Sequence, residues 1–182
     1  RFVSKTEYES AGKYALIPMP ASMQVTKDGT FDVRTLTAIT YPNDEAKAHA
    51  ESFAAQLKAA SGIVLNVTQS TAQTPSSNIC LIADASLSAE GYALEVTDAG
   101  VTLCAASSAG FFYGLNTLRQ LLPRAFFKQA VDNAGVEWTL PFISIQDAPL
   151  LGHRGFMLDC ARHFFSIEEV KRVLDIMSLY KL

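Results

Sequence analysis

Residues 153–165 read His153-Arg154-Gly155-Phe156-Met157-Leu158-Asp159-Cys160-Ala161-Arg162-His163-Phe164-Phe165, and Ser166-Ile167-Glu168-Glu169 follows at once. The apolar run that ends at Leu158 makes His153 to Leu158 read as a β-strand. Ser166 with Glu169 three residues on is a capping-box pattern, in which each side chain satisfies the other residue's backbone N–H. The helix it predicts has Val170, Val173, Leu174, Met177 and Leu179 among its apolar positions. Strand, short loop and capped helix form one β/α unit, and such folds place their chemistry in the strand-to-helix turn. Asp159, Arg162 and His163 fall in that turn. One unit cannot bury its own surfaces, so the rest of a parallel sheet or barrel is expected to follow. The helix stops at Leu182, and the chain is therefore expected to be a piece of a larger protein.

Upstream the pattern changes. Tyr14 to Pro20 is β-rich, and Met23 to Val33 holds a Lys27-Asp28-Gly29 turn between two extended runs. Asn43 is placed to cap a helix with Asp44 and Glu45 in its first turn. Ala46, Ala50, Phe53 and Leu57 line one face, and the helix should end at Ser61-Gly62. Ile63 to Val67 and Ile79 to Ile82 read as strands on either side of the polar loop 69–78. Tyr92 to Val96 and Val101 to Ala105 alternate about Asp98-Ala99-Gly100, a hairpin signal. Ser107 or Ser108 caps a second helix, with Phe111, Leu115, Leu118 and Leu122 at helical spacing before Pro123 stops it. A polar connector, 128–135, leads to the extended stretch Glu137 to Ile145, and Gln146-Asp147-Ala148-Pro149 marks a boundary.

The expected fold is an α+β sandwich, a small sheet with two helices on one face, followed by the first strand and helix of a truncated (β/α)8 TIM barrel. The domains would be residues 1–146 and 147–182. At 182 residues, 49% hydrophobic and 18% charged, the chain has enough apolar content for a sizeable core. A net charge of −3 with interspersed signs gives no footprint for nucleic acid or an anionic membrane surface. No run approaches the ~20 apolar residues of a membrane span, and Arg1 to Tyr14 does not resemble a signal peptide. Cys80, Cys104 and Cys160 are an odd, well-separated set in or beside apolar runs, which argues against a disulfide framework. No Cys-x-x-Cys or His-x-x-x-His pair supports a metal.

Residues 153–159 with Arg162-His163-Phe164 resemble the opening strand and turn of the catalytic barrel of family 20 glycoside hydrolases, the β-N-acetylhexosaminidases. The resemblance extends upstream. Gly91 to Val96, Gly100 to Leu103 and Ala109-Gly110-Phe111-Phe112-Tyr113-Gly114-Leu115-Asn116-Thr117-Leu118-Arg119-Gln120-Leu121-Leu122-Pro123 resemble the non-catalytic α+β domain before that barrel, and Asp147-Ala148-Pro149 resembles the junction. The matches run in order over roughly residues 14–182. The resemblance implies a hydrolase that removes terminal N-acetylglucosamine or N-acetylgalactosamine with retention, using the substrate's own acetamido oxygen as nucleophile and no cofactor. It also implies that the catalytic Asp-Glu pair lies on a later barrel strand, so that residues 1–182 alone are inactive. The implied partner is a glycan ending in an N-acetylhexosamine, together with the remainder of the barrel. The family's habits imply a periplasmic or secreted setting, or a lysosomal one if the source is an animal. The rival expectation is a stand-alone carbohydrate-binding or scaffold module without catalysis.

Arg154 matches the family arginine that hydrogen-bonds hydroxyls of the terminal sugar, a task suited to a rigid fork of donors. At ~3.3 Å per residue it starts about 13 Å below Leu158, so its side chain would have to reach upward. Asp159, Arg162 and His163 are candidates to support the site from behind: Asp159 and Arg162 could pair to hold the turn, and His163 beside two phenylalanines could be a packed core histidine. Gly110 and Gly114 read as points where the helix approaches the sheet. His49 reads as a surface side chain. Trp138 reads as core, with sugar stacking as its other possible role.

Overall fold

The structure, a computed structural model, describes residues 14–70, 75–128 and 135–182. Residues 71–74 of the loop 69–78, residues 129–134 of the connector 128–135 and the stretch 1–13 thereby lie outside the described residues. The chain divides into two compact units between Ala148 and Pro149.

The first unit is built on seven strands: β1 (Ser22–Asp32), β2 (Ala38–Tyr41), β3 (Asn66–Gln69), β4 (Asn78–Ala83), β5 (Tyr92–Thr97), β6 (Gly100–Ala105) and β7 (Thr139–Asp147). They form one sheet in the order β1-β7-β5-β6-β4-β2-β3. The β6-β4-β2-β3 half is parallel, and β1, β7, β5 and β6 pair antiparallel. Helices α1 (Asp44–Ser61) and α2 (Ser108–Leu121) pack on it and on each other. The mixed sheet with its two helices is thus larger than the small sheet expected.

Local chemistry sets both helices. The Asn43 side chain accepts from the Ala46 amide at 3.1 Å, and Gly62, at φ +77°, closes α1 in the left-handed conformation that glycine tolerates. Ala46, Ala50, Phe53 and Leu57 are buried, as the periodicity predicts. Ser107, not Ser108, caps α2, accepting from the Ala109 amide at 3.1 Å. A Cβ on Gly110 would meet the Gly91 carbonyl and one on Gly114 the Leu103 side chain, so α2 lies against the sheet where these glycines fall. The hairpin forms as expected, with Leu94 opposite Leu103 and Thr97 opposite Gly100. Trp138 is buried, and its carbonyl accepts from the Val33 amide at 2.8 Å. A ring so enclosed offers no face to a sugar.

Three strand expectations change. Met23 to Asp32 is not two strands about a turn but part of one long strand, and Val33 opens a short 3-10 turn after it. Both halves of that strand pair with β7, and Lys27-Asp28-Gly29 becomes an irregularity between Val25 and Thr30, with Gly29 at φ +101°. Tyr14 to Pro20 is not a strand. There the amide and carbonyl of Ile17 are held by the Gln120 side chain at 2.9 and 2.8 Å, so a side chain takes the place of a ladder partner. The strand expected at 63–67 begins instead at Asn66, where parallel pairing with Ala38 sets the register.

The second unit, Pro149–Leu182, holds one regular element, α3 (Ile167–Leu179). Its capping box is fully made: the Glu169 carboxylate accepts from the Ser166 amide at 2.7 Å, and Ser166 Oγ accepts from the Glu169 amide at 3.3 Å. The strand predicted over 153–158 is absent. A strand exists through its ladder, and no described residue pairs with these. No residue of α3 is buried, and Met157, Phe164 and Ile167 are 87%, 84% and 72% exposed. These apolar groups lack the layer that would cover them.

Candidate functional site

The four residues singled out in the sequence all lie in the second unit. Arg154 Nε donates to the Lys181 carbonyl at 2.8 Å, and Nη1 donates to the Leu151 carbonyl. The guanidinium thus ties the stretch before it to the chain just past α3, whose last carbonyls attract a cation. Leu151, Arg154 and Lys181 are brought together by one fork of donors.

Asp159 and Arg162 form their own closed motif. Asp159 Oδ1 accepts from the amides of Ala161 at 2.9 Å and Arg162 at 3.2 Å, while Arg162 Nε donates to Oδ2. The Arg162 hydrogen bond, aided by the two amides, holds the Asp159 carboxyl below its ordinary range. The turn is therefore anchored on an ionised carboxylate, and Arg162 itself is largely in solvent. His163 is exposed rather than packed in a core, with its ring edge-on to Phe165 at 5.0 Å between centroids. The Ser166 amide and hydroxyl hold the Glu169 carboxyl low, with His163 a lesser contributor. The turn presents an acid, a cation and an imidazole on exposed backbone, without the walls that would exclude water from a reaction.

The first unit holds polar clusters that sequence reasoning passed over. Tyr92, fully buried, donates to Asp147 Oδ2 at 3.0 Å and lies 2.6 Å from Thr117 Oγ1. His49 is not a free surface side chain: Nε2 lies 2.8 Å from Ser108 Oγ, and the ring sits 5.7 Å from that of Phe112. Burial, then the neighbouring Arg119 charge, pushes the His49 pKa down. The available signal was Asn116, Thr117 and Arg119 inside a largely apolar helix. Among the described residues no group of three His, Cys, Asp or Glu side chains is arranged to hold a metal, and no helix is long and apolar enough to cross a membrane.

A mixed seven-stranded sheet carrying two helices, followed in sequence by a turn and a capped helix, defines an α+β domain with a second unit after it. The glycosyl hydrolase family 20 domain 2 model matches residues 13–148, and the catalytic-domain model of the same family matches residues 151–182. The chain belongs to glycosyl hydrolase family 20. It is 37% identical to a beta-hexosaminidase of Porphyromonas gingivalis over 171 residues, 92% of this chain and 21% of that protein. The GH20 beta-N-acetylhexosaminidase of Streptomyces coelicolor A3(2) superposes with a TM-score of 0.78 at 35% identity, over 91% of this chain and 33% of that one. The exo beta-N-acetylglucosaminidase of Vibrio harveyi, solved in complex with N-acetylglucosamine, superposes at 0.71 and 32% identity, over 92% and 24%. The chain thus spans between about a fifth and a third of the length of these relatives.

Proposed function

We propose that this chain is the N-terminal part of a β-N-acetylhexosaminidase, with residues 1–146 as its non-catalytic α+β domain and 147–182 as the opening of its catalytic (β/α)8 barrel. One observation carries the reading: a domain 2 match ending at 148 is followed directly by a catalytic-domain match from 151, in one chain. The uncovered apolar groups of the second unit support it, because a neighbouring β/α layer would bury them.

In the proposed reaction the 2-acetamido oxygen of a terminal N-acetylglucosamine or N-acetylgalactosamine attacks the anomeric carbon. A Glu supplied by later barrel strands protonates the departing oxygen, and a neighbouring Asp orients the acetamido group. Water then opens the cyclic intermediate from the face the leaving group left, so configuration is retained. No metal or organic cofactor takes part. Residues 1–182 would not turn over substrate by themselves, since that pair lies beyond them. Arg154 would exchange its carbonyl acceptors for hydroxyls of the terminal sugar, with Asp159, Arg162 and His163 shaping the turn above it. The enzyme would act on glycans in a periplasmic or secreted setting, or a lysosomal one in an animal.

The test uses the full-length protein and follows the first-formed sugar by proton NMR. The β-anomer should appear first, and a trifluoroacetamido substrate, whose carbonyl oxygen is a poorer nucleophile, should react far more slowly. Appearance of the α-anomer first, or indifference to the fluorines, would overturn the substrate-assisted mechanism.

A further inference from the structure

β1 ends the sheet, and among the described residues its outer edge takes no partner strand. Ser22, Gln24, Val25 and Thr26 are exposed there, and the last two are β-branched. A long exposed edge of this kind offers unpaired N–H and C=O groups to any other chain. The ladder beside it is nevertheless interrupted. Val25 lies opposite Ile143 and Thr30 opposite Pro141, so residues 26–29 stand against Phe142 alone.

Those four residues fold over that ring. Ile143 and Ile145 lie opposite Val96 and Leu94, and Leu94 is opposite Leu103, which meets α2 at Gly114. Alternation along β7 therefore turns Phe142 to the other face of the sheet, away from the helices. It is still only 6% exposed. The Lys27 ammonium lies 4.1 Å from the centre of the Phe142 ring, and a Cβ on Gly29 would stand 3.4 Å from the ring edge. The same ammonium pairs with Asp98 in the β5/β6 turn, so Lys27 reaches across β7 to the strand pair beyond it. An exposed ion pair by itself contributes little, but this one shares its cation with an aromatic face that the chain has covered. Gly29, at φ +101°, returns the chain to the ladder through a conformation that side chains resist.

We infer that residues 26–29 form a clasp that guards the open edge of β1 against pairing with a second copy of the chain. A bulge bends its strand and sharpens the local twist, and an inward-pointing charge resists a flat partner; both keep exposed edges single. The clasp combines the two, because the residue that carries the charge is also the one that ties the bulge to Phe142 and Asp98. A second copy is the strand such an edge must be guarded against, since two identical edges related by a two-fold axis pair antiparallel and close on themselves. With residues 26–29 laid over Phe142, β1 presents two short runs in place of one continuous edge.

The experiment deletes residues 27–29 from the full-length protein, which joins Thr26 to Thr30 and lets β1 run unbroken beside β7. Sedimentation velocity over a series of concentrations reads association, and hydrogen–deuterium exchange reads the amides of β1. The folded variant should associate at concentrations where the native protein does not, with its remaining β1 amides exchanging more slowly as concentration rises. If the deletion prevents folding, Lys27→Met takes its place: it keeps an apolar chain over Phe142, removes the charge and the tie to Asp98, and should shift both measurements the same way. Association no greater than that of the native protein, or association that leaves exchange in β1 unaltered, would overturn the inference.

Discussion

The buried hydroxyl of Tyr92 donates to Asp147 Oδ2 at 3.0 Å, joining the first residue of β5 to the last residue of β7 at the point where the first unit ends. Asp147 Oδ1 also accepts from the Ala21 amide at 3.1 Å, so one carboxylate secures both the entry to β1 and the exit from β7. Tyr92→Phe should cost about 1–2 kcal/mol and Asp147→Ala more, because the latter also releases the Ala21 amide. Urea titrations of the two single variants and the double should give a favourable coupling energy; simple additivity would contradict the link.

The same tyrosine gives the sheet an alkaline limit. Burial, then the Asp147 charge, raises its pKa strongly, so the phenol stays protonated in the folded state. In the unfolded chain it ionises near pH 10, roughly the ordinary value. This contribution to stability is complete below that pH and is lost as pH rises beyond it. Melts between pH 9 and 11 should steepen downward in the native protein and less so in Tyr92→Phe.

Gly110 and Gly114 set how closely α2 approaches the sheet. An added Cβ at Gly110 meets the Gly91 backbone carbonyl and lies 2.9 Å from Ala105 Cβ, and at Gly114 it meets the packed Leu103 side chain. Alanine raises helix propensity by about 1 kcal/mol, but overpacking of this kind costs roughly 1–3 kcal/mol. Both variants should melt lower, Gly110→Ala the more so since a backbone atom has less room to yield. A rise in melting temperature for either would contradict the packing.

His49 makes the opposite contribution to pH dependence. Its folded pKa is lowered, so the unfolded state takes up a proton first as pH falls. The associated stability is present above about pH 6.5, the ordinary value, and is lost as pH falls toward the folded pKa. Melting temperatures measured from pH 7.5 to 5 should drop less steeply in His49→Gln. An unchanged slope would show that the imidazole is not held neutral.

What the sequence revealed followed how local each signal is. Asn43, Ser107 and the Ser166/Glu169 box mark helix starts through contacts within three residues, so α1, α2 and α3 were legible. So was the β5/β6 hairpin, whose two strands are joined by Asp98-Ala99. Strand limits set by distant partners were not: β3 takes its start from pairing with β2, and β1 stays whole because both halves meet β7. The run 153–158 has strand chemistry but needs neighbours to become one. In the candidate site, the Asp159–Arg162 pairing could be read from spacing, while the Arg154 contacts to the Leu151 and Lys181 carbonyls could not, since backbone acceptors carry no sequence signature.

The sugar-binding role proposed for Arg154 is separable by experiment from its contacts to the Leu151 and Lys181 carbonyls. In the full-length protein, Arg154→Ala should lower kcat/KM roughly ten- to hundredfold, the loss of one charge-assisted hydrogen bond of about 1.5–3 kcal/mol. Arg154→Lys should also be poor, because an ammonium cannot reproduce the fork. Normal kinetics with a large fall in melting temperature would leave Arg154 only its contacts to the Leu151 and Lys181 carbonyls.

The most direct test of the account is a side-by-side assay of the 182-residue chain and the full-length protein with a chromogenic N-acetylglucosaminide. The full-length protein should hydrolyse it and the chain alone should not, because residues 1–182 carry the first domain and only the opening of the catalytic one. Turnover by the purified 182-residue chain, or none by the full-length protein with either the glucosaminide or the galactosaminide, would contradict it.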